Sequence, residues 1–199
     1  MSQADGSIRI AEEPFTALAE LARVPIAFTV DRIAVAHGAG AGGFSLTERR
    51  EDRPWIKDYD ALAGQGPLSW PARFDLSRWK LLLARRERRC IGGATLALKT
   101  PGLEMLEGRD DVAVLWDIRV EPESRHGGVG TALFAAAEQL AIDSGARLLR
   151  IETQDINWPG CRFYGRMGCE LRSANRFAYP QFPGETQLIW EKELGAPSR

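Results

Sequence analysis

Arg125, Gly127, Gly128 and Gly130 stand directly before an alanine-rich amphipathic run, in the stretch EPESRHGGVGTALFAAAEQLA (121–141). Three glycines at a helix entry mark either a plain turn or a place where something must approach the backbone closely. The first turn of a helix leaves backbone N–H groups unpaired and carries the positive end of the helix dipole. Gly127, Gly128 and Gly130 have no side chains to shield those amides, and Arg125 adds a permanent cation. Together with the amides of Val129 and Thr131 they suit a phosphate or pyrophosphate. His126, inside the loop, is either a phosphate contact or an exposed spacer.

The elements that must position this cradle follow from periodicity. WKLLLARR (79–86), CIGGATLALK (90–99) and DVAVLWDIRV (111–120) are strand-like runs, the first two joined by a tight polar turn around the basic stretch ARRERR (84–89). Val129, Leu133, Ala136 and Leu140 recur at helical spacing, with Gly145 at the C-cap position. LLRIET (148–153) predicts a further strand. WPGCRFYGRM (158–167) predicts a short helix with Pro159 in its first turn and Gly168 past its end. Two strands close the chain, near 169–179 and 186–193. Strand 112–120, helix 128–144 and strand 148–153 make a βαβ crossover, whose strand-to-helix loop lies at the carboxyl edge where open α/β sheets bind ligands. VPIAFTVDRIAV (24–35) predicts an early strand, and residues 37–78 a loop-rich stretch that builds a binding wall or holds short helices. Residues 1–7 and 195–199 are expected to fray.

The fold class is therefore α/β, with a sheet of mixed sense. At 199 residues the chain fits one domain, 1–199, and no linker divides it. A net charge of −1 offers no basic excess for a dedicated nucleic-acid binder. Cys90, Cys161 and Cys169 lack paired metal spacing, and His37 and His126 are far apart, so no metal is expected. No apolar run reaches the ~20 residues of a membrane span, and the first residues do not read as a signal peptide. The expectation is a cytoplasmic protein with neither membrane nor nucleic-acid partner. HGAGAGG (37–43) matches the Gly-x-Gly-x-x-Gly dinucleotide fingerprint, but no amphipathic helix follows and Pro54 comes soon after, so it reads as a loop.

The spacing Arg125-x-x-Gly128-x-Gly130 after RVEP resembles the acetyl-CoA pyrophosphate loop of the GNAT superfamily of N-acetyltransferases. NWPGCRFYGRMGC (157–169) resembles that superfamily's downstream motif, an Asn followed by Phe-Tyr and Gly, in the same order along the chain. These blocks cover about 110–180. Within the superfamily, RIETQDIN and CRFYGRMGCEL most resemble the branch containing streptothricin acetyltransferases. The resemblance implies a GNAT-like, mostly antiparallel sheet around a central βαβ crossover with flanking helices, acetyl-CoA as acyl donor, and direct transfer to an amine.

It also implies roles. The Tyr164 hydroxyl lies near the CoA sulfur and protonates the departing thiolate, or the ring merely packs beside Phe163. Asn157 hydrogen-bonds the pantetheine arm, caps the helix, or does both. The backbones of Ile118 and Val120 run alongside the pantetheine, and an amide there serves the oxyanion. Some members carry a carboxylate where this chain has Trp116, so no base carries over from that position. Alternation places Val112, Val114, Trp116, Ile118 and Val120 on one face and Leu115, Asp117 and Arg119 on the other. Asp117 then reaches the chemistry only if a bulge re-aims it, and otherwise pairs with Arg119. Glu152, near the end of the next strand, is the preferred base, set against a solvated strand-end carboxylate and against relay through water. Cys161 sits one turn before Tyr164 with no histidine near it in sequence, which favours packing over a covalent acetyl-cysteine.

The acceptor is expected between residues 37–78 and 176–186. RPWIKDYDALAG (53–64) offers Trp55, Asp58, Tyr59 and Asp60 to a cationic amine, or else caps the sheet, and Tyr179 and Trp116 line the same pocket. A small-molecule primary amine is the leading acceptor, an amino-bearing antibiotic among the candidates. Two alternatives stand beside it, a peptide or protein N-acetyltransferase and a non-catalytic acyl-CoA-binding or sensing domain. Many relatives are dimers, so a homodimer is one expectation.

Overall fold

Ile8 and Ile10 alternate with polar residues in IRIAEE, and this run forms the first strand of a computed structural model that describes residues 7–38 and 43–195. In chain order the elements are β1 (Ile8–Glu13), α1 (Leu18–Leu21), β2 (Phe28–Gly38), β3 (Phe44–Lys57), α2 (Trp70–Arg73), β4 (Lys80–Arg86) and β5 (Arg89–Leu98). There follow β6 (Val112–Val120), α3 (Val129–Asp143), β7 (Leu148–Gln154), α4 (Trp158–Arg166), β8 (Glu170–Asn175) and β9 (Gln187–Glu193). Seven strands make one sheet in the order β1-β4-β5-β6-β7-β9-β8, and β2 and β3 make a separate antiparallel ribbon. Among the described residues only β6 and β7 pair in parallel, with α3 between them in sequence, so the sheet is mixed and mostly antiparallel. No described helix is long and apolar enough to cross a membrane.

The two sheet faces carry separate cores. Leu133, Phe134 and Ala137 of α3 pack with Ala113, Leu115, Leu149 and Ile151 of β6 and β7 and with Tyr164 of α4. On the other face Leu18, Leu21, Trp70 and Trp79 cover Leu81, Leu83, Val112 and Val114. The chain turns into and out of α3 through glycines in left-handed backbone, Gly128 at φ 83° and Gly145 at φ 88°, which side chains with a Cβ adopt at a cost. Gly93 in β5 is a close-approach glycine. A Cβ there would lie 2.7 Å from the Leu82 carbonyl and 2.6 Å from Leu21. Gly93→Ala is expected to lose about 1–3 kcal/mol of stability by overpacking. Chemical denaturation measures it, and an unchanged midpoint would show that α1 yields freely.

Four sequence expectations are corrected. Residues 44–57 are a strand, not loop. That strand is solvent-exposed over most of its length, so FSLTERREDRPWIK shows no apolar alternation, and charges and Pro54 suit its edge position. β1 lies where no strand was expected. The strand expected over 169–179 ends at Asn175, and 176–186 is a connection. Alternation along β6 also fails. Thr95 pairs with Asp117 and Leu96 with Leu115, so Trp116 is an extra residue in a bulge. Val112, Val114 and Trp116 face the α1/α2 side, whereas Ile118 and Val120 pack on the α3 side. Of the loop 37–43, residues 39–42 lie outside the described residues, as do most of the two ends expected to fray.

Candidate active site

The parallel pairing of β6 and β7 stops at Val114 opposite Arg150, although β6 runs on to Val120 and β7 to Gln154. The strands therefore part, and the β7-facing edge of residues 115–120 has no strand partner among the described residues. At the carboxyl end of β6 the chain turns through His126 (φ 62°) and Gly128 (φ 83°) into α3. His126, Gly127 and Gly128 are exposed. Among the described residues no side chain caps α3, whose first intrahelical bond runs from Ala132 N to Gly128 O. The amides of Val129, Gly130 and Thr131 are thus without intrahelical partners. A free strand edge that leads to uncapped helix amides fits a long, polar-ended cofactor with anionic phosphates.

Arg125 stands differently from the expected open cation. Its Nε donates to the Val120 carbonyl at 3.0 Å and its Nη2 to the Ala27 carbonyl at 3.0 Å, so it ties the loop to the segment before β2. Burial pulls its guanidinium below the ordinary value. Asn157 caps α4, its Oδ1 accepting from Gly160 N at 3.0 Å.

Tyr164 is buried on α4, its ring 5.5 Å from Phe163 and 6.2 Å from Trp190. Its hydroxyl has no hydrogen-bond partner among the described residues. Burial, then the Asp117 and cysteine neighbours, push the phenol well above its ordinary value and keep it protonated. Cys161 is buried as well, and burial followed by Asp155 pushes its thiol up to about 12. Little thiolate is available there to act as a nucleophile.

Glu152 projects from β7 on the same sheet face as Trp116. Its Oε1 accepts from Tyr179 Oη at 2.6 Å and its Oε2 from Gln187 Nε2 at 2.8 Å. Each oxygen keeps a second lone pair for a further donor. Burial, then Glu152, hold the Tyr179 phenol above its ordinary value, as a donor. The bulge does re-aim Asp117, yet both its oxygens are taken by Arg119 at 2.9 and 2.6 Å. That carboxylate stands in the structural pair rather than free as a base.

Tyr59 donates to Gln154 Oε1, and Asp58 Oδ1 accepts from Asp60 N at 3.0 Å within the same turn. Nearby, buried Lys57 meets Glu185 at 2.5 Å, with its ammonium 4.1 Å from the Phe182 ring and 6.0 Å from Trp55. Trp116 packs at 5.1 Å on Phe74 and 5.4 Å on Trp79, which makes it first a wall of the aromatic cluster around α2. Thus Glu152 and Tyr179 meet directly, Trp55 and Tyr59 converge on Lys57, and Trp116 shares their face across the opening. Lys57, Gln154, Phe182, Glu185 and Gln187 were missed by sequence reasoning. No local spacing marks them, because their partners lie far along the chain. A cavity of about 410 Å³ lies elsewhere, between Phe44, Leu46, Trp158 and Trp190, and does not include Glu152 or Tyr164. Among the described residues no cluster of His, Cys, Asp or Glu suits a metal ion.

Residues 46–169 match the family model described as the Acetyltransferase (GNAT) family. Streptothricin acetyltransferase A of Bacillus subtilis (strain 168) is 28% identical over 151 residues, 75% of this chain and 79% of the relative. Streptothricin acetyltransferase of Escherichia coli is 31% identical over 97 residues, 47% of this chain and 56% of the relative. Among solved structures, nourseothricin acetyltransferase aligns with a TM-score of 0.72 at 24% identity, over 94% of this chain and 99% of its own. A Bacillus anthracis str. Ames protein, solved in complex with acetyl coenzyme A, aligns with a TM-score of 0.76 at 20% identity, over 94% of this chain and 100% of its own.

Proposed function

Because the chain belongs to the GNAT acetyltransferase family, an enzyme family that uses acetyl-CoA, we propose that it acetylates a primary amine of a small molecule, of the amino-bearing antibiotic class to which streptothricin belongs. The observation that carries the acceptor class is the acidic and aromatic face beside the β6–β7 opening, where Glu152, Tyr179, Tyr59 and Trp116 meet one side of the parted strands. Carboxylate and ring faces together suit an alkylammonium. The name of the B. subtilis relative, similar over most of both chains, supports the same class. The reading takes residues 1–199 as one acetyltransferase domain.

Bound acetyl-CoA supplies a thioester, an electrophilic carbonyl with a thiolate leaving group. The amides of residues 127–131 hold its pyrophosphate, with Arg125 bracing the loop and the free β6 edge at Ile118 and Val120 aligning the pantetheine. An alkylammonium has a pKa of ~10.4, so only about one acceptor in a thousand is nucleophilic at neutral pH. Glu152 accepts the ammonium proton, directly or through a water, and Tyr179 and Gln187 hold its carboxylate in place. A β6 amide donates to the oxyanion. Tyr164 gives its proton to the departing thiolate.

Thermal unfolding with acetyl-CoA, and with ATP and NAD as controls, tests the premise. Acetyl-CoA at ~100 times its dissociation constant should add about 2.7 kcal/mol of native stability, after which an amine screen that includes streptothricin assigns the acceptor. An equal shift with NAD, or none with acetyl-CoA, would overturn the cofactor and catalytic roles together.

A further inference from the structure

Tyr59 and Asp60 are adjacent, yet they bind the two strands that part. Asp60 holds Arg119 on β6 with a forked pair of hydrogen bonds, 2.6 and 3.2 Å. Tyr59 donates to Gln154 on β7. Two residues earlier, Lys57 is anchored to Glu185 in the β8–β9 connection at 2.5 Å. Val114 is the last β6 residue paired with β7, opposite Arg150, and Asp60 and Tyr59 take hold of the two strands beyond that point, at Arg119 and at Gln154. The segment 57–60 therefore spans the opening from Arg119 on β6 to Gln154 on β7, two positions beyond Glu152 on that strand. It frames an aperture whose apex is Val114–Arg150, whose sides are Trp116 and Glu152, and whose crossbar is Tyr59–Asp60.

We propose that segment 57–60 is a strap that fixes the width of this aperture, so that an acceptor amine passes to the thioester while bulk water is held back. Tyr59 and Asp60 act as positioning residues through Gln154 and Arg119. The inference rests on the acetyl-transfer reading above. Burial, then the Glu185 charge and Tyr164, hold the Tyr59 phenol above its ordinary value. Tyr59 is thus a lasting donor to Gln154. Its ring also packs on Phe28 at 5.7 Å, so Tyr59→Phe removes one crossbar bond and keeps the ring. Asp60→Asn weakens the other.

A loosened strap should admit water. Water oxygen then bonds to the thioester carbonyl carbon, the carbon–sulfur bond breaks, and acetate, a proton and CoA thiol are released. The test uses the full chain with acetyl-CoA alone, following thiol release, with thermal shift reporting acetyl-CoA binding. Tyr59→Phe and Asp60→Asn are each expected to raise acceptor-independent hydrolysis roughly 5-fold or more at unchanged acetyl-CoA affinity. A part that only holds the fold together would lower the unfolding temperature and leave hydrolysis alone. Wild-type hydrolysis in both variants, with binding intact, would overturn the strap but spare the acetyltransferase. Failure of the wild type to bind acetyl-CoA would overturn both.

Discussion

Tyr164→Phe is expected to lower kcat by about 100-fold or more while acetyl-CoA stabilises the variant as much as the wild type. The substitution keeps the ring that packs on Phe163 and Trp190 and removes only a hydroxyl that has no hydrogen-bond partner among the described residues, so stability should hardly move. The phenol is a poor acid in free solution at neutral pH, and burial makes it weaker still. That direction suits the proposed step. A thiolate leaving an acyl group needs a donor that is protonated in every molecule, and the raised value guarantees that. Loss of activity through Tyr164 ionisation therefore belongs above the ordinary tyrosine value of ~10, outside the neutral range. Steady-state kinetics with saturating acetyl-CoA measures the fall. Retention of kcat within about 3-fold would leave the thiolate to be protonated by water and reduce Tyr164 to packing.

The parts legible in the sequence are those written in local periodicity. Val129, Leu133 and Leu140 announce α3, Gly145 its end, and Arg125 to Gly130 its loop, because a helix repeats every few residues and its entry has few solutions. β3 left no such trace, since a strand open to solvent on most of its length need not alternate. The bulge at Trp116 defeated a correct rule. Alternation assigns faces only while no residue is inserted, and one extra residue moved Ile118 and Val120 to the α3 side and Asp117 away from it. The acceptor side was legible as residue types and not as an arrangement. Tyr59 and Gln154 are separated by 95 positions, and Lys57 and Glu185 by 128. No motif binds such pairs; only the packing of the β2–β3 ribbon and the connections that flank it against the sheet brings them together.

Arg119→Met is expected to cost about 3–5 kcal/mol of folding stability, the largest loss foreseen for a single side chain here. The Arg119 side chain is 1% exposed and donates to Asp117, to Asp60 and to the Val24 carbonyl at 3.1 Å. Burial alone would depress this guanidinium. The two carboxylates outweigh it and hold the guanidinium above its ordinary value, so it remains charged. Removing it leaves Asp117, itself 6% exposed, and the less buried Asp60 facing each other without a counter-charge. The cost is that of the stranded acids, not the worth of the ion pair, which against its own desolvation can be close to nothing. The two quantities separate experimentally. Adding Asp60→Asn and Asp117→Asn to Arg119→Met removes the stranded charges, and the triple variant should regain much of what the single one lost. Chemical denaturation of the single and triple variants reads both terms. A single variant within about 1 kcal/mol of wild type would mean that water already reaches the cluster and the network is not a dry one. Recovery in the triple variant without recovery of transfer would place the value of Arg119 in geometry. It would hold the bulged strand and the crossbar residue in register, and the fold could do without its charge where the aperture could not.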